Sequence, residues 1–191
     1  MKLIISAFLV LISLFTFSSF AQDANQQEMM KQWQNYMTPG PAHKMLTEMV
    51  GEWEGEISMW MDPSQPPQIT KGTTKFESIM EGRYVVGHYS ATMMGMPFSG
   101  MDITGYDNAL KVYQNVWIDN MGTGMMITEG TFDEKTMTLT YKGKMVTPTG
   151  AKVDVRTVLK VIDKDHSVFE MYSNIDGGES KSMEIKYTRK S

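Results

Sequence analysis

The chain has 191 residues, 41% of them hydrophobic and 21% charged, with 22 acids against 18 bases for a net charge of −4. That is the size and usage of one globular domain with a sizeable core, and it excludes a disordered chain, a fibrous repeat and the broad basic footprint of a nucleic-acid binder. Cysteine is absent, which excludes disulfides, thiolate metal sites and cysteine nucleophiles; the abnormal residue is methionine, at 20.

Residues 1–21 read as a secretory signal. Lys2 is the lone positive charge, the run from Leu3 to Phe17 is almost wholly apolar, and Ser19-Phe20-Ala21 supplies the small residues a signal peptidase requires. The apolar run is short for a bilayer span of about 20 residues. Cleavage after Ala21 therefore predicts a soluble, exported chain with no stable membrane insertion. Freedom from thiols suits an oxidising compartment, the periplasm or exterior of a Gram-negative-type bacterium.

Residues 22–40 form a helical, mobile preface. Met29, Met30, Trp33 and Tyr36/Met37 recur at three- and four-residue spacing, one face of a helix. Thr38-Pro39-Gly40-Pro41 breaks that helix, and Pro41 opens a second one over Ala42 to Met49, stopped at Gly51. After Gly51 the period becomes two. Trp53, Gly55, Ile57 and Met59 alternate with Glu52, Glu54, Glu56 and Ser58, which predicts a strand with one acidic, solvated face.

Nine turn-rich intervals then divide the chain into ten strand-sized segments: Asp62 to Pro67, Glu81-Gly82, Gly95 to Pro97, Asp107-Asn108, Gly122, Asp133-Glu134, Pro148 to Gly150, Asp163 to Asp165 and Asp176 to Gly178. The fold class is mainly β, an up-and-down antiparallel barrel of about ten strands over 41–191, preceded by one or two short helices. Closure follows because an open sheet would expose two edges to aggregation. A closed sheet of this strand number also tends to enclose a cavity.

The run Leu46-Thr-Glu-Met-Val-Gly-Glu-Trp-Glu-Gly-Glu56 resembles the opening of lipocalin-like, or calycin, barrels, in which a Gly-x-Trp element (Gly51-Glu52-Trp53) starts the first strand. The resemblance implies that a basic residue of the last strand, Arg189, lies across Trp53 and closes the barrel end. Met93-Met-Gly-Met-Pro97, Gly105-Tyr-Asp-Asn108, Trp117-Ile-Asp-Asn-Met-Gly-Thr-Gly124, Phe169-Glu-Met-Tyr172 and Met183-Glu-Ile-Lys-Tyr-Thr-Arg189 together resemble the bacterial domain-of-unknown-function family 1579, over roughly residues 40 to 190. That family implies a lipocalin-like barrel and no activity. Haem-binding nitrobindins are distant relatives in architecture and need an inward imidazole. Here His43 lies in the preface helix, His166 in a turn, and His88 on a strand whose alternation leaves its facing open. No cofactor is predicted.

Two-residue turns at Lys164-Asp165 and a turn at Asp176 to Glu179 would put Val155, Thr157, Leu159, Glu170, Tyr172, Ile185 and Tyr187 on one inward face. Glu170 would be a lone carboxylate among apolar neighbours: a ligand anchor, a general acid/base, or a buried structural pair. Tyr172, Tyr187, Trp117 and Met125 complete the candidate ligand-binding set, with the facing of Trp117 left open. Methionines gather at two hairpins, Met93, Met94, Met96 and Met101 at one and Met121, Met125 and Met126 at the other. They suit either an adaptable apolar cavity or soft coordination of Cu(I). No Gly-x-Ser-x-Gly elbow, histidine pair at metal spacing or glycine-rich phosphate loop is present, so hydrolase, zinc and nucleotide readings lose their basis. The predicted function is binding of a small apolar molecule in the barrel. The alternatives are an enzyme using Glu170 on a hydrophobic substrate, or Cu(I) handling by methionine.

Overall fold

The structure, a computed structural model, describes residues 25–175 and 177–191. The export segment read at 1–21 lies outside the described residues. Residues 25–37 form helix α1, whose Met29, Met30, Trp33 and Met37 are exposed. A compact unit spans Pro39–Ser191. It opens with helix α2, Pro41–Thr47, which has proline in its first turn and Gly40 as its N-cap. Ten strands follow: β1 Gly51–Met59, β2 Gln68–Ile79, β3 Tyr84–Met93, β4 Met96–Asp107, β5 Val112–Asp119, β6 Met126–Asp133, β7 Thr138–Val146, β8 Lys152–Val161, β9 His166–Ile175 and β10 Gly178–Arg189. Each strand pairs antiparallel with its neighbours in the chain, and β1 pairs with β10, closing the barrel. Mainly-β, ten-stranded, up-and-down architecture is what the two-residue period and evenly spaced turns predict.

Alternation sorts the side chains. On β1, Trp53, Gly55 and Ile57 are buried while Glu52, Glu54 and Glu56 are exposed. Leu139, Val155, Phe76 and Ile185 continue the inward layer, none more than 8% exposed. Burying such a side chain contributes about 1.5–3 kcal/mol, so a one-residue slip of any strand would forfeit its whole share.

The barrel's first and last strands are pinned by one side chain. Trp53 stands opposite Arg189 in the β1–β10 ladder, and the guanidinium carbon lies 4.1 Å from the indole centroid. Arg189 Nη1 donates to the Val50 carbonyl at 2.6 Å, Nη2 to Glu48 at 2.8 Å and Nε to Lys164 at 3.0 Å. The indole N–H itself donates to the Met49 carbonyl at 2.9 Å. One planar fork therefore ties the α2–β1 corner to the β8–β9 turn, and only a guanidinium presents donors in that array.

The predicted hollow middle is corrected. Tyr141 and Tyr187 are buried there, and Tyr89 packs against Phe76 and Trp117 with centroids at 5.9 and 4.9 Å. Large rings facing one another across the barrel fill its centre, and clefts lie toward its two ends.

Arg189→Ala should lower unfolding stability by about 2–4 kcal/mol, because three carbonyls and a cation–π contact lose their partner together. Arg189→Lys should recover less than half of that. The urea midpoint at unchanged m-value is the measurement, and a lysine variant as stable as the native chain would refute the fork geometry.

Candidate functional site

Strand β4 sends Phe98, Gly100, Asp102, Thr104 and Tyr106 inward, and Asp102 sits mid-barrel at 8% exposure. Its Oδ1 accepts the Tyr89 hydroxyl at 3.0 Å; its Oδ2 accepts the Thr104 hydroxyl at 2.9 Å and the Asn115 amide at 2.6 Å. Asn115 also donates to Thr104 Oγ1 at 2.8 Å, so three strands are knotted at one carboxylate. Its position depends on a glycine across the ladder. A Cβ on Gly87 would stand 2.3 Å from Asp102 Oδ1.

Trp117 is the cross-strand neighbour of Asp102. Its ring stacks on Phe98 at 6.3 Å with planes 17° apart, and its N–H donates to Asp119 Oδ2 at 2.7 Å. A Cβ on Gly100 would come within 2.5 Å of the indole, so that glycine makes the space the ring occupies.

The electrostatics are one-sided. Among the described inward positions of the strands, Asp102 and Asp119 are the acids, and the lone base, Arg189, is engaged at the α2 end. Burial pushes the Asp102 carboxyl above its ordinary value, against the opposing hydrogen bonds from Thr104, Tyr89, Asn115 and the Gly87 amide. Burial likewise pushes the Tyr187 phenol up, against its hydrogen bond with Thr74.

Above this polar knot, at the end that carries the β1–β2, β3–β4, β5–β6 and β7–β8 connections, the inner wall turns soft. Met59, Met183 and Met171 stand side by side across β1, β10 and β9, and Met93, Met126 and Met145 continue the wall on β3, β6 and β7. Most of these side chains are half-buried, as are Phe98 and Trp117. A cleft of about 280 Å³ opens at this rim between Met59, Thr70 and Met93.

Of the residues singled out from the sequence, Tyr187 and Trp117 face inward. Met125 lies in the β5–β6 loop at 69% exposure, and Trp53 with Arg189 lies at the α2 end. Glu170 and Tyr172 require a correction. Val161 pairs with Ser167, so the turn between them holds one more residue than a two-residue hairpin and the parity of β9 inverts. Phe169, Met171 and Ser173 point inward; Glu170 and Tyr172 lie on the outer face. There Glu170 is ion-paired with Lys181 and accepts the Tyr172 hydroxyl at 3.0 Å. Arg156 covers the Tyr172 ring at 3.9 Å while bonding both oxygens of Glu179 at 2.9 and 2.7 Å. The Lys181 hydrogen bond holds the Glu170 carboxyl below its ordinary value, the opposite of what an interior acid/base requires.

Asp102, Tyr89, Thr104 and Asn115 escaped the sequence reading. A usable signal was present: isolated glycines inside strands, Gly87 and Gly100, mark close approach of bulky neighbours. The histidines also find their places. His88 is on the outer face, 3.7 Å from Glu77, and His166 bonds Asp163 at 2.9 Å. His43 accepts the Gly40 amide at 3.0 Å and meets Tyr106 edge-on at 5.7 Å. Among the described residues no imidazole stands on an inward strand position, and no group of three or more His, Asp or Glu is placed to hold a metal ion.

A model of the family described as "Protein of unknown function (DUF1579)" matches residues 38–189. No curated protein matches the chain. The crystal structure of Rv2717c from M. tuberculosis is similar at a TM-score of 0.62 and 14% identity, covering 81% of this chain and 100% of that one, a likeness of fold alone. A redesigned β-barrel overlaps more loosely, at a TM-score of 0.39 and 14% identity over 77% and 96% of the two chains.

Asp102 supplies a pH test. An acid whose folded value is raised makes the folded state bind the extra proton, so its contribution to stability is most favourable below the unfolded value, declines as pH rises toward the folded one and stays reduced above it. Asp102→Asn should therefore melt at or above the native chain at neutral pH, the gap closing as pH falls through the raised folded value and staying closed below about 4. Thermal melts across that range check it. A loss of stability that is present at neutral pH and vanishes in acid would show that the charged carboxylate is preferred.

Proposed function

The chain belongs to the DUF1579 family, whose function is unknown, and on that premise we propose that it is an exported binding module that takes a small, mostly apolar molecule into the loop end of its barrel. The observation that carries the reading is the half-open inner wall of methionines with Phe98 and Trp117 stacked beside it. Thioether side chains are flexible and polarizable, so such a wall adapts to guests of varied shape. The Asp102–Tyr89–Asn115 knot forms a rigid floor of fixed hydrogen-bonding groups, the few placed polar atoms that orient a guest in an otherwise apolar site. Export rests on the segment at 1–21 and on the absence of cysteine.

A second reading has its own observation. Met59, Met183 and Met171 are direct cross-strand neighbours, and three adjacent thioethers are a soft donor set for Cu(I).

Titration with the neutral fluorophore N-phenyl-1-naphthylamine should give saturable enhancement. Trp117→Ala should weaken it by about tenfold, roughly 1.4 kcal/mol, while Met125→Ala on the loop and Glu170→Gln on the outer face leave it unchanged. No enhancement with the native chain, or an equal response from the Trp117 variant, would sink the loop-end site. Mass spectrometry of protein recovered from its own compartment then identifies the natural guest. Anaerobic Cu(I) titration of the native chain and of Met183→Leu separates the second reading, which requires one equivalent bound by the former and markedly weaker uptake by the latter.

A further inference from the structure

The opposite, α2 end carries a larger cleft, of about 520 Å³. That is within the roughly 300–1,000 Å³ typical of small-molecule sites. Its floor is aromatic: Tyr106, Tyr113 and Phe132 come from inward positions of β4, β5 and β6, with the two tyrosine rings meeting edge-on at 4.8 Å. Met45 of α2 forms the facing wall. The wall is held in place, because His43 on the same helix is buried, accepts the Gly40 amide and packs on Tyr106.

Two opposite charges line this cleft from separate turns. Lys111 belongs to the β4–β5 turn, where its amide donates to the Asp107 carbonyl at 2.8 Å; Glu134 belongs to the β6–β7 turn. Among the described residues neither has an ion-pair partner within 4.0 Å, and they do not reach each other. Burial, with Tyr106 and the Glu134 carboxylate, pushes the Tyr113 phenol up to about 12, so it stands in the cleft as a neutral hydroxyl. A ring-sized apolar slot flanked by one free ammonium and one free carboxylate complements a guest with the same three features reversed.

We propose that this cleft binds a planar aromatic molecule bearing both an acidic and an amino group. Its ring lies on the Tyr106–Phe132 floor under Met45, its carboxylate meets Lys111 and its ammonium meets Glu134. The site is separate from the loop-end wall and stands without it.

Saturation-transfer NMR and calorimetry on the full chain test it with four probes of one ring system: L-tryptophan, N-acetyl-L-tryptophan, tryptamine and N-acetyl-L-tryptophanamide. L-tryptophan should bind about tenfold more tightly than either singly charged probe, and the uncharged amide most weakly. Lys111→Gln should make L-tryptophan and tryptamine equivalent, and Glu134→Gln should make L-tryptophan and N-acetyl-L-tryptophan equivalent. Both substitutions are at exposed turns and leave folding intact. Trp117→Ala should change none of these affinities, so failure here and failure at the loop end are distinguishable. Equal binding of all four probes, a zwitterion advantage that survives both substitutions, or no binding at millimolar concentration overturns the proposal.

Discussion

Everything else in the barrel depends on the seam between β1 and β10. A meander of ten strands is a sheet with two unsatisfied edges until those strands meet, and their ladder runs from Trp53–Arg189 to Met59–Met183. Arg189 joins the ladder to the chain around it, drawing carbonyls from the α2–β1 corner and the β8–β9 turn onto one guanidinium. Backbone pairing alone would leave the corner carbonyls of Glu48 and Val50 to solvent. The cation held over the Trp53 face satisfies them and seals the apolar interior at the same point.

Once closed, the barrel must fill a volume that ten strands make wide. It does so with large rings set among aliphatic side chains, and rings need room on the neighbouring strand. Gly87 and Gly100 provide it, one for the Asp102 carboxylate and one for the Trp117 indole. The cost of a buried carboxylate without a basic partner is met by donors from its own strand and both neighbouring ones. Asp102 thereby couples β3, β4 and β5 through hydrogen bonds that only this register can make.

The filled centre divides the interior into two unlike ends. The loop end is lined with thioethers over a polar floor and, among the described inward positions, carries Asp102 and Asp119 without a base. The α2 end is aromatic, roofed by a short helix whose height His43 sets, and edged by one charge of each sign. A single sheet serves both because the two ends of every inward row are different residues: β4 runs from Phe98 at one mouth to Tyr106 at the other, and β6 from Met126 to Phe132.

Strand number, order and closure were legible in the sequence because side-chain alternation and turn residues are local, and each leaves its mark within a few positions. Trp53 and Arg189 were legible through family resemblance, since the two residues lie at opposite ends of the chain and no local pattern joins them. The direction of β9 was not. Val168, Glu170 and Tyr172 alternate as convincingly as Phe169, Met171 and Ser173, and the choice between them rests on whether the turn after Val161 holds two residues or three. That one residue moved Glu170 from the interior to an outer-face ion pair with Lys181. Asp102 was hidden for a related reason: a carboxylate flanked by Met101 and Ile103 reads as either face until its partners on β3 and β5 are brought beside it. Local periodicity determines that a strand has two faces, whereas only the closed ladder, by setting register against both neighbours at once, decides which face meets the core.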